Sequence, residues 1–175
     1  MPSVLHDDHL DLGPARWQRG AMDIRDAIAD DADAACEVMR RSITELCVTD
    51  HRNDPTALSA WLRNKTPPNF LSWLRPGNSV LVAVTGNDIL AVGSVTDNGM
   101  ITLNYVSPAH RFRGVSKAVL AALEARAVAR GNDSCRLNST ATAARFYQAN
   151  GYADDGAPET LFGIAGYPMM KSLRS

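Results

Sequence analysis

A short basic turn, Arg111–Ser116 with the sequence RFRGVS, combines residue types that could bind a phosphate group. It follows an alternating apolar run, Met100–Val106, and precedes a helical pattern that begins at Gly114. The first N–H groups of a helix have no partner within the helix, and the helix dipole adds partial positive charge there. Gly114 permits a close approach to the backbone, while Arg111 and Arg113 add charge and planar donors. The pattern is compatible both with a phosphate site and with a plain strand-to-helix connection whose arginines are solvated.

Two familiar phosphate-binding loops do not fit this turn. A P-loop ends in Gly-Lys-Ser/Thr, whereas Gly114 is followed by Val115, Ser116 and Lys117. The dinucleotide fingerprint needs three glycines in the pattern GxGxxG, and this turn has one. The turn therefore indicates a different phosphate ligand.

Length, charge and cysteine content restrict the class of protein. A chain of 175 residues with 45% apolar and 21% charged residues is typical of one soluble globular domain. The formal net charge of −1 leaves no surplus of Lys and Arg for nucleic acid, so we expect no nucleic-acid partner. Cys36, Cys47 and Cys135 lie in apolar runs, which predicts reduced, buried thiols in a cytoplasmic protein. Because no apolar run approaches the ~20 residues of a membrane span, we expect no membrane partner.

Residues 1–21 differ in character from the rest of the chain. They mix charged residues, glycine and proline with little periodicity, and they lack the apolar core of a signal peptide. We predict that they form a flexible N-terminal extension and that residues 22–175 form a single domain. His6 and His9 are interpreted as part of a polar tail, so we expect no metal site.

The order of predicted elements indicates a mixed α+β fold. Helical periodicity begins at Ala32, and two further helix starts carry a cap-and-proline signature, Asp54-Pro55 and Thr66-Pro67. Two more helices are expected, one from Gly114 to about Arg130 and one through Tyr147. Strands are predicted at 22–28, 80–85, 89–96, 100–106, 134–138, 160–164 and 168–173. This order implies a mixed, mostly antiparallel sheet of six to seven strands with helices on both faces.

The late strand–helix–strand unit could hold an extended ligand. Adjacent parallel strands can splay apart when one of them carries a bulge, and a ligand arm can then bond to the exposed strand backbone. The strand end Leu103–Val106 would form one wall, Arg136–Asn138 the other, and Tyr147 would lie near the far end. A ligand with a pyrophosphate, amides and a reactive terminus fits this arrangement. Coenzyme A has that layout.

On these residues the chain resembles the GNAT superfamily of acyl-CoA-dependent N-acyltransferases. The resemblance runs from about Met22 to the C-terminus. Arg111–Ser116 is similar to the family's Arg/Gln-x-x-Gly-x-Gly/Ala signature, except that Ser116 stands where glycine or alanine is usual. The run Asn138–Tyr147, followed by Gly151 and Tyr152, is similar to the second signature.

The resemblance implies a set of binding and catalytic residues, with acetyl-CoA as the cosubstrate. It implies that backbone near Tyr105 and Val106 binds the pantetheine arm, and that Tyr147 donates a proton to the leaving thiolate. A phenol of pKa ~10 is chemically suited to that role; the alternative is that Tyr147 is only a core aromatic. Thr140 occupies the place of a cofactor-contacting asparagine in many members. The cofactor-binding residues implied in this way are Tyr105, Val106, Arg111, Phe112, Arg113, Gly114, Val115, Ser116, Lys117, Asn138, Thr140 and Tyr147.

The general base is not evident from the sequence. Members of the family often carry a glutamate on the fourth or fifth strand, where this chain has Met100 and Cys135. Glu45, Asp50 and His51, in or near the first two helices, are the available candidates, although a solvated helix end is the preferred interpretation of these residues. Cys135 lacks an evident partner base.

Three functions remain open from the sequence. The first is an N-acetyltransferase that moves an acetyl group to a primary amine of a small molecule or peptide by direct attack in a ternary complex. The second is a non-catalytic acyl-CoA-binding sensor of the same fold, and the third is a redox or hydrolytic enzyme without an identified nucleophile. The resemblance implies a monomer or a homodimer.

Overall fold

The computed structural model describes residues 21–174. The predicted flexible extension, residues 1–21, lies outside the described residues except for Ala21. Within the described part of the chain, no helix has the length and apolar character needed to cross a bilayer.

Eight strands form two antiparallel groups. The first group is a four-stranded sheet in the order β1-β2-β3-β4. In the second group β8 pairs with β5 on one side and with β6 and β7 on the other. The strands are β1 (Asp23–Asp26), β2 (Asn78–Thr85), β3 (Asp88–Thr96), β4 (Ile101–Val106), β5 (Ser134–Ser139), β6 (Ala153–Asp154), β7 (Glu159–Leu161) and β8 (Ile164–Ser172).

Six helices cover the sheets. A short 3₁₀ turn precedes α1, and a π-helical turn, Ser42–Leu46, follows it. Asp54 and Thr66 cap α3 and α4, and each is followed by proline in the first turn, as predicted. The helices are α1 (Ala32–Arg41), α2 (Val48–His51), α3 (Pro55–Leu62), α4 (Pro67–Trp73), α5 (Val115–Ala129) and α6 (Ala144–Ala149).

The central strands β2 and β3 are buried on both faces. On one face α5 packs through Val119 and Leu123, and on the other α1 and α4 pack through Met39 and Phe70. A continuous apolar run is typical of strands covered on both sides. At Gly93 on β3 a Cβ atom would lie 2.6 Å from Val119 Cγ1, so glycine permits the close approach of α5. The predicted α+β fold with helices on both faces is therefore confirmed.

The observed elements differ from the predictions near the C-terminus. The two short strands expected at 160–164 and 168–173 are instead β7 and one continuous strand, β8. β8 continues through Pro168, which pairs with Asn138 of β5 and accepts a hydrogen bond from Asp155 N at 2.8 Å. The short strand β6 was not predicted.

The two groups of strands meet at one point. Met100 and Arg136 form an isolated parallel bridge, and Arg136 N donates to Gly99 O at 3.0 Å. Beyond this bridge no backbone hydrogen bond joins β4 to β5 among residues 21–174. The neighbouring strands β4 and β5 are thus parallel and splay apart, which leaves a gap between them.

Candidate functional site

A bulge on β4 accompanies the splaying of the two strands. Val95 pairs with Ile101 and Ser94 with Leu103, so Thr102 is an extra residue on β4. A bulge bends the strand that carries it and increases its twist. The backbone edge of β4 that faces β5 is consequently open to a ligand.

A cavity of about 480 Å³ occupies one end of this gap. β4, β5, the basic turn, α6 and the π-helical turn all contribute to its wall. Of the residues implied as cofactor-binding, Arg113 alone does not line it. Those that do are Tyr105, Val106, Arg111, Phe112, Gly114, Val115, Ser116, Lys117, Asn138, Thr140 and Tyr147.

The basic turn presents unpaired backbone N–H groups to the cavity. Gly114, the residue before α5, has φ +77°, and no side chain caps the helix. Phe112 also has a positive φ, +62°, and its exposed ring lies under the Arg111 guanidinium at 4.4 Å from the ring centroid. These left-handed conformations turn the backbone so that successive N–H groups can face an anion.

Tyr147 is buried in the wall of the cavity. Asn104 Nδ2 on β4 donates a hydrogen bond to Tyr147 Oη at 3.3 Å. Burial raises the pKa of Tyr147 to about 12, and the bond from Asn104 acts in the opposite direction. Because Asn104 is the donor, the phenolic hydrogen of Tyr147 is not used in this bond and remains available to a ligand.

Tyr105 separates this cavity from a second one. Its side chain points to the face of β4 opposite Tyr147, where Trp61 Nε1 donates to Tyr105 Oη at 3.2 Å. Burial raises the pKa of Tyr105 well above its usual range. Trp61 and Tyr105 line both cavities.

The second cavity has a volume of about 550 Å³. It lies between α3 and α4, β4 and the hairpin of β7 and β8. Lys65, in the connection between α3 and α4, is a buried member of its wall, and Phe162 at the tip of the hairpin lies on its rim. Arg40 of α1 fixes the connection because its guanidinium donates to the carbonyls of Leu62 and Lys65, at 3.0 and 3.3 Å.

The structure places Glu45 outside both cavities. Its carboxylate pairs with Arg41 one turn earlier, at 2.9 Å, and the pair is well exposed. An exposed i,i+4 pair stabilises a helix weakly and gives no contact with a ligand. The prediction of Glu45 as a base thus gains no support from its position.

Asp50 and His51 form internal contacts instead. Asp50 accepts hydrogen bonds from Ala141 N at 2.8 Å and from the Thr142 hydroxyl, which ties α2 to the loop after β5. His51 is buried, with Nε2 at 3.0 Å from the Ile43 carbonyl and Nδ1 accepting from Asn53 N at 3.0 Å. This pattern fits a neutral ring that holds the π-helical turn in place.

Two other titratable residues singled out in the sequence, Cys135 and His110, lie in different surroundings. Cys135 is fully buried and lines neither cavity, and burial raises the pKa of its thiol to about 11. His110 lines the first cavity with a buried Nδ1 that has no hydrogen-bond partner in the described structure. Among residues 21–174, no group of three or more His, Cys, Asp and Glu side chains could hold a metal ion.

Sequence reasoning missed Asn104 and Lys65. Asn104 carries a usable signal, since a lone amide within the apolar strand Ile101–Val106 needs a partner when buried. Lys65 carries none, because a lysine between two helix starts is normally solvated. Only the packing of distant residues buries it.

Comparisons with known proteins agree with this geometry. Residues 57–173, well over half of the chain, match the family model of the acetyltransferase (GNAT) domain. No curated protein is significantly similar to the chain. Among solved structures, a GCN5-related N-acetyltransferase from Rhodopseudomonas palustris has a TM-score of 0.78 at 25% identity, covering 89% of this chain and 98% of that one.

Two other similar structures contain the cosubstrate or its product. The PaiA N-acetyltransferase of Thermoplasma acidophilum, in complex with coenzyme A, has a TM-score of 0.77 at 17% identity and covers 87% of this chain and 99% of its own. YncA, a putative acetyltransferase of Salmonella typhimurium with acetyl-CoA, has a TM-score of 0.68 at 20% identity and covers 89% and 95%. At these identities the likeness shows the fold.

Proposed function

Because the chain belongs to the GNAT acetyltransferase family, we propose that it transfers an acetyl group from acetyl-CoA to a primary amine of a small molecule or peptide. The amine attacks directly, in a ternary complex. The observation that carries the proposal is the pair of cavities that meet at Trp61 and Tyr105, one beside the basic turn and Tyr147, the other open to an acceptor.

The first cavity fits coenzyme A on independent structural grounds. The open edge of β4 leaves backbone N–H and C=O groups without strand partners, and these groups suit the amides of a pantetheine arm. Two buried polar atoms in its wall, Asn104 Oδ1 and His110 Nδ1, lack hydrogen-bond partners within the described residues. A space of about 480 Å³ lies within the range of small-ligand sites.

Different groups of the chain would bind different parts of coenzyme A. The N–H groups of residues 112–117 and the charges of Arg111 and Lys117 would hold the pyrophosphate, as helix N-termini hold anions elsewhere. Backbone at Tyr105 and Val106 would hold the arm from one side, with Asn138 and Thr140 on the other. Arg113 lies outside the cavity wall and would contribute charge only.

Tyr147 is proposed as the proton donor. Bound acetyl-CoA supplies a thioester carbonyl for the amine to attack and a sulfur that leaves as the carbon–sulfur bond breaks. Burial keeps the Tyr147 phenol protonated throughout the working pH range, since its pKa is raised to about 12. Asn104 orients the phenol and stabilises the negative charge that develops as its proton moves to sulfur.

Removal of the amine's proton does not require a carboxylate in the wall. No Asp or Glu of residues 21–174 lines either cavity. Lys65 and Arg75 instead give the second cavity a positive potential, which lowers the pKa of a bound ammonium group and favours the neutral amine. The proton can then leave to water.

The proposal is tested by measuring thiol release from acetyl-CoA against a panel of amines, beside calorimetric binding of CoA. Turnover with an amine and formation of the N-acetyl product would support it. The absence of cavity carboxylates also favours the sensor alternative, for which the expected result is CoA binding without turnover on any amine. A lack of CoA binding at low ionic strength would exclude both.

A further inference from the structure

We propose that the second cavity recognises an anionic group on the acceptor, a carboxylate or similar oxyanion carried by the same molecule as the amine, and that Lys65 and Arg75 bind it. This inference rests on the proposed function because it assigns the substrate class of the same site. Free amino acids and related amino-carboxylates are the compounds with this chemistry.

The charges in the cavity wall have one sign. Lys65 and Arg75 line the cavity. Among residues 21–174, no other side chain in its wall is charged at neutral pH. A low-dielectric pocket with charge of one sign attracts a ligand of the opposite sign. A polyamine would meet repulsion in this cavity.

Lys65 lacks the partner that a buried cation normally has. Its side chain is only 3% exposed, yet no carboxylate in the described part of the chain lies within salt-bridge distance of Nζ. Nζ donates one hydrogen bond, to Asn64 Oδ1 at 2.6 Å, which leaves two of its three donors unused. Buried charges in proteins are usually paired, so a ligand anion would supply what the chain does not.

Aromatic rings confine the Lys65 ammonium. Nζ lies 5.9 Å from the ring centroids of both Tyr105 and Phe162. Such contacts favour a cation and leave its remaining hydrogen atoms directed elsewhere. The ammonium is therefore held in position before any ligand arrives.

The hairpin between β7 and β8 holds Phe162 in a strained backbone conformation. Leu161 pairs with Ile164, and the two turn residues Phe162 and Gly163 both have positive φ, +55° and +73°. Asn or Gly is the usual residue at the first of these positions. An aromatic residue held there against its preference is typical of ligand clamps. The Phe162 ring centroid lies 5.9 Å from Lys65 Nζ in this conformation.

A second unpaired group in this cavity is a hydrogen-bond acceptor for an N–H of the ligand. Asn78 Oδ1 is buried without a hydrogen-bond partner in the described structure, and Asn78 lines the same cavity. Its Nδ2 is fixed by the Trp73 carbonyl at 3.0 Å, so the orientation of the amide is determined. A carbonyl-type acceptor and two cations in one cavity complement a molecule that has both an N–H donor and an anion.

The inference is tested with acceptors that differ only in the anionic group: common amino acids, the corresponding amino acid amides, and their decarboxylated amines. We expect kcat/KM to be highest for the carboxylates. Lys65→Met should raise KM for carboxylate acceptors about 10- to 100-fold, with KM for acetyl-CoA unchanged, whereas KM for the amides should rise by a much smaller factor. Arg75→Gln, at an exposed position where folding is not at risk, should act in the same direction by a smaller factor. Arg63→Gln is the control, because Arg63 is exposed on the same segment and lines neither cavity.

The outcomes separate this inference from the proposed function. If wild-type protein acetylates amides, decarboxylated amines or spermidine as efficiently as amino acids, the function stands and the inference is overturned. An equal loss for carboxylates and amides in Lys65→Met would also overturn it. If CoA binds but no amine is acetylated, calorimetry with amino acids and N-acetyl amino acids decides: binding that Lys65→Met abolishes supports the inference, and no binding refutes it.

Discussion

Trp61 Nε1 and Tyr105 Oη are joined by a hydrogen bond of 3.2 Å that links α3 to β4 where the two cavities meet. Trp61→Phe leaves the buried Tyr105 hydroxyl without this donor, which should lower the free energy of unfolding by about 1–3 kcal/mol. The double variant Trp61→Phe with Tyr105→Phe removes both polar groups and should be no less stable than Trp61→Phe alone. Denaturant unfolding of the three variants measures this coupling; strictly additive losses would show that the bond contributes little.

Replacement of Tyr147 by phenylalanine should reduce kcat by about 10²-fold or more, because the general acid is lost while the ring is retained. CoA affinity should change less than threefold, since the backbone and the basic turn are untouched. Steady-state kinetics and calorimetry give the two values. Tyr167→Phe is the control, because Tyr167 lines neither cavity. An unchanged kcat in Tyr147→Phe would remove Tyr147 as the proton donor.

Gly114 and Gly131 form a matched pair at the two ends of α5. Both have positive φ, +77° and +87°, and a Cβ atom would meet nothing within 4 Å at either position. Alanine at each should therefore cost a similar ~1–2 kcal/mol of stability through the backbone alone. Only Gly114→Ala should weaken CoA binding, by roughly tenfold, because it displaces the N–H groups at the helix start. Equal CoA affinities in the two variants would place the pyrophosphate elsewhere.

Asp50 provides a test of a structural role against a catalytic one. Asparagine can still accept from Ala141 N, and its amide can donate to the Thr142 hydroxyl, so Asp50→Asn should keep most activity. Asp50→Ala leaves the loop after β5 untied and should cost about 1–2 kcal/mol and raise KM for acetyl-CoA. If Asp50→Asn abolishes kcat while CoA binding and stability are normal, then Asp50 is the base.

Lys65 should make stability depend on pH in a defined window. Burial lowers the pKa of Lys65 to about 8, from an ordinary value of 10.5, so the unfolded chain binds more protons between these two pH values. The contribution of Lys65 to stability is thus least below pH 8 and grows as the pH rises to 10.5. Lys65→Met should raise the free energy of unfolding by roughly 1–3 kcal/mol at pH 7, with the gain vanishing near pH 10.5.

Lys171→Met is the contrasting variant in the same experiment. Lys171 Nζ pairs with Glu124 at 3.0 Å, and Glu124 also accepts a hydrogen bond from the Tyr152 hydroxyl at 3.0 Å. Removing this cation leaves a mostly buried carboxylate with less compensation, so stability at pH 7 should fall. A stabilising Lys171→Met, or a Lys65→Met gain that does not change with pH, would contradict the assignment of Lys65 as an unpaired buried cation.

The features that could be predicted from the sequence are those that depend on residues close together in the chain. The caps of α3 and α4 were predicted because each depends on neighbours: Asp54 Oδ1 accepts from Thr56 N at 2.9 Å, and Thr66 Oγ1 from Asn69 N at 3.5 Å. The start of α5 after the turn Arg111–Gly114 was predicted for the same reason. The fold class could be predicted because the order of the helices and strands along the chain restricts the possible topologies.

The second cavity could not be predicted, since its parts are distant in sequence. Lys65 becomes a buried cation only when Tyr105 and Phe162 close over it, and nothing in the residues around Lys65 indicates this. Glu45 appeared suitable as a base from its position near the first helices, but its side chain turns to Arg41. Side-chain direction in the π-helical turn depends on helical registration, which periodicity alone does not give.

Few backbone hydrogen bonds join the two groups of strands. Within residues 21–174 only the bridge at Met100 and Arg136 directly joins the two groups of strands, whereas α5 packs on strands of both groups. A wider separation of the two groups would consequently break this bridge and disturb the apolar contacts around α5, and would leave every strand ladder intact. We therefore expect the gap between β4 and β5 to widen more easily than either group of strands opens.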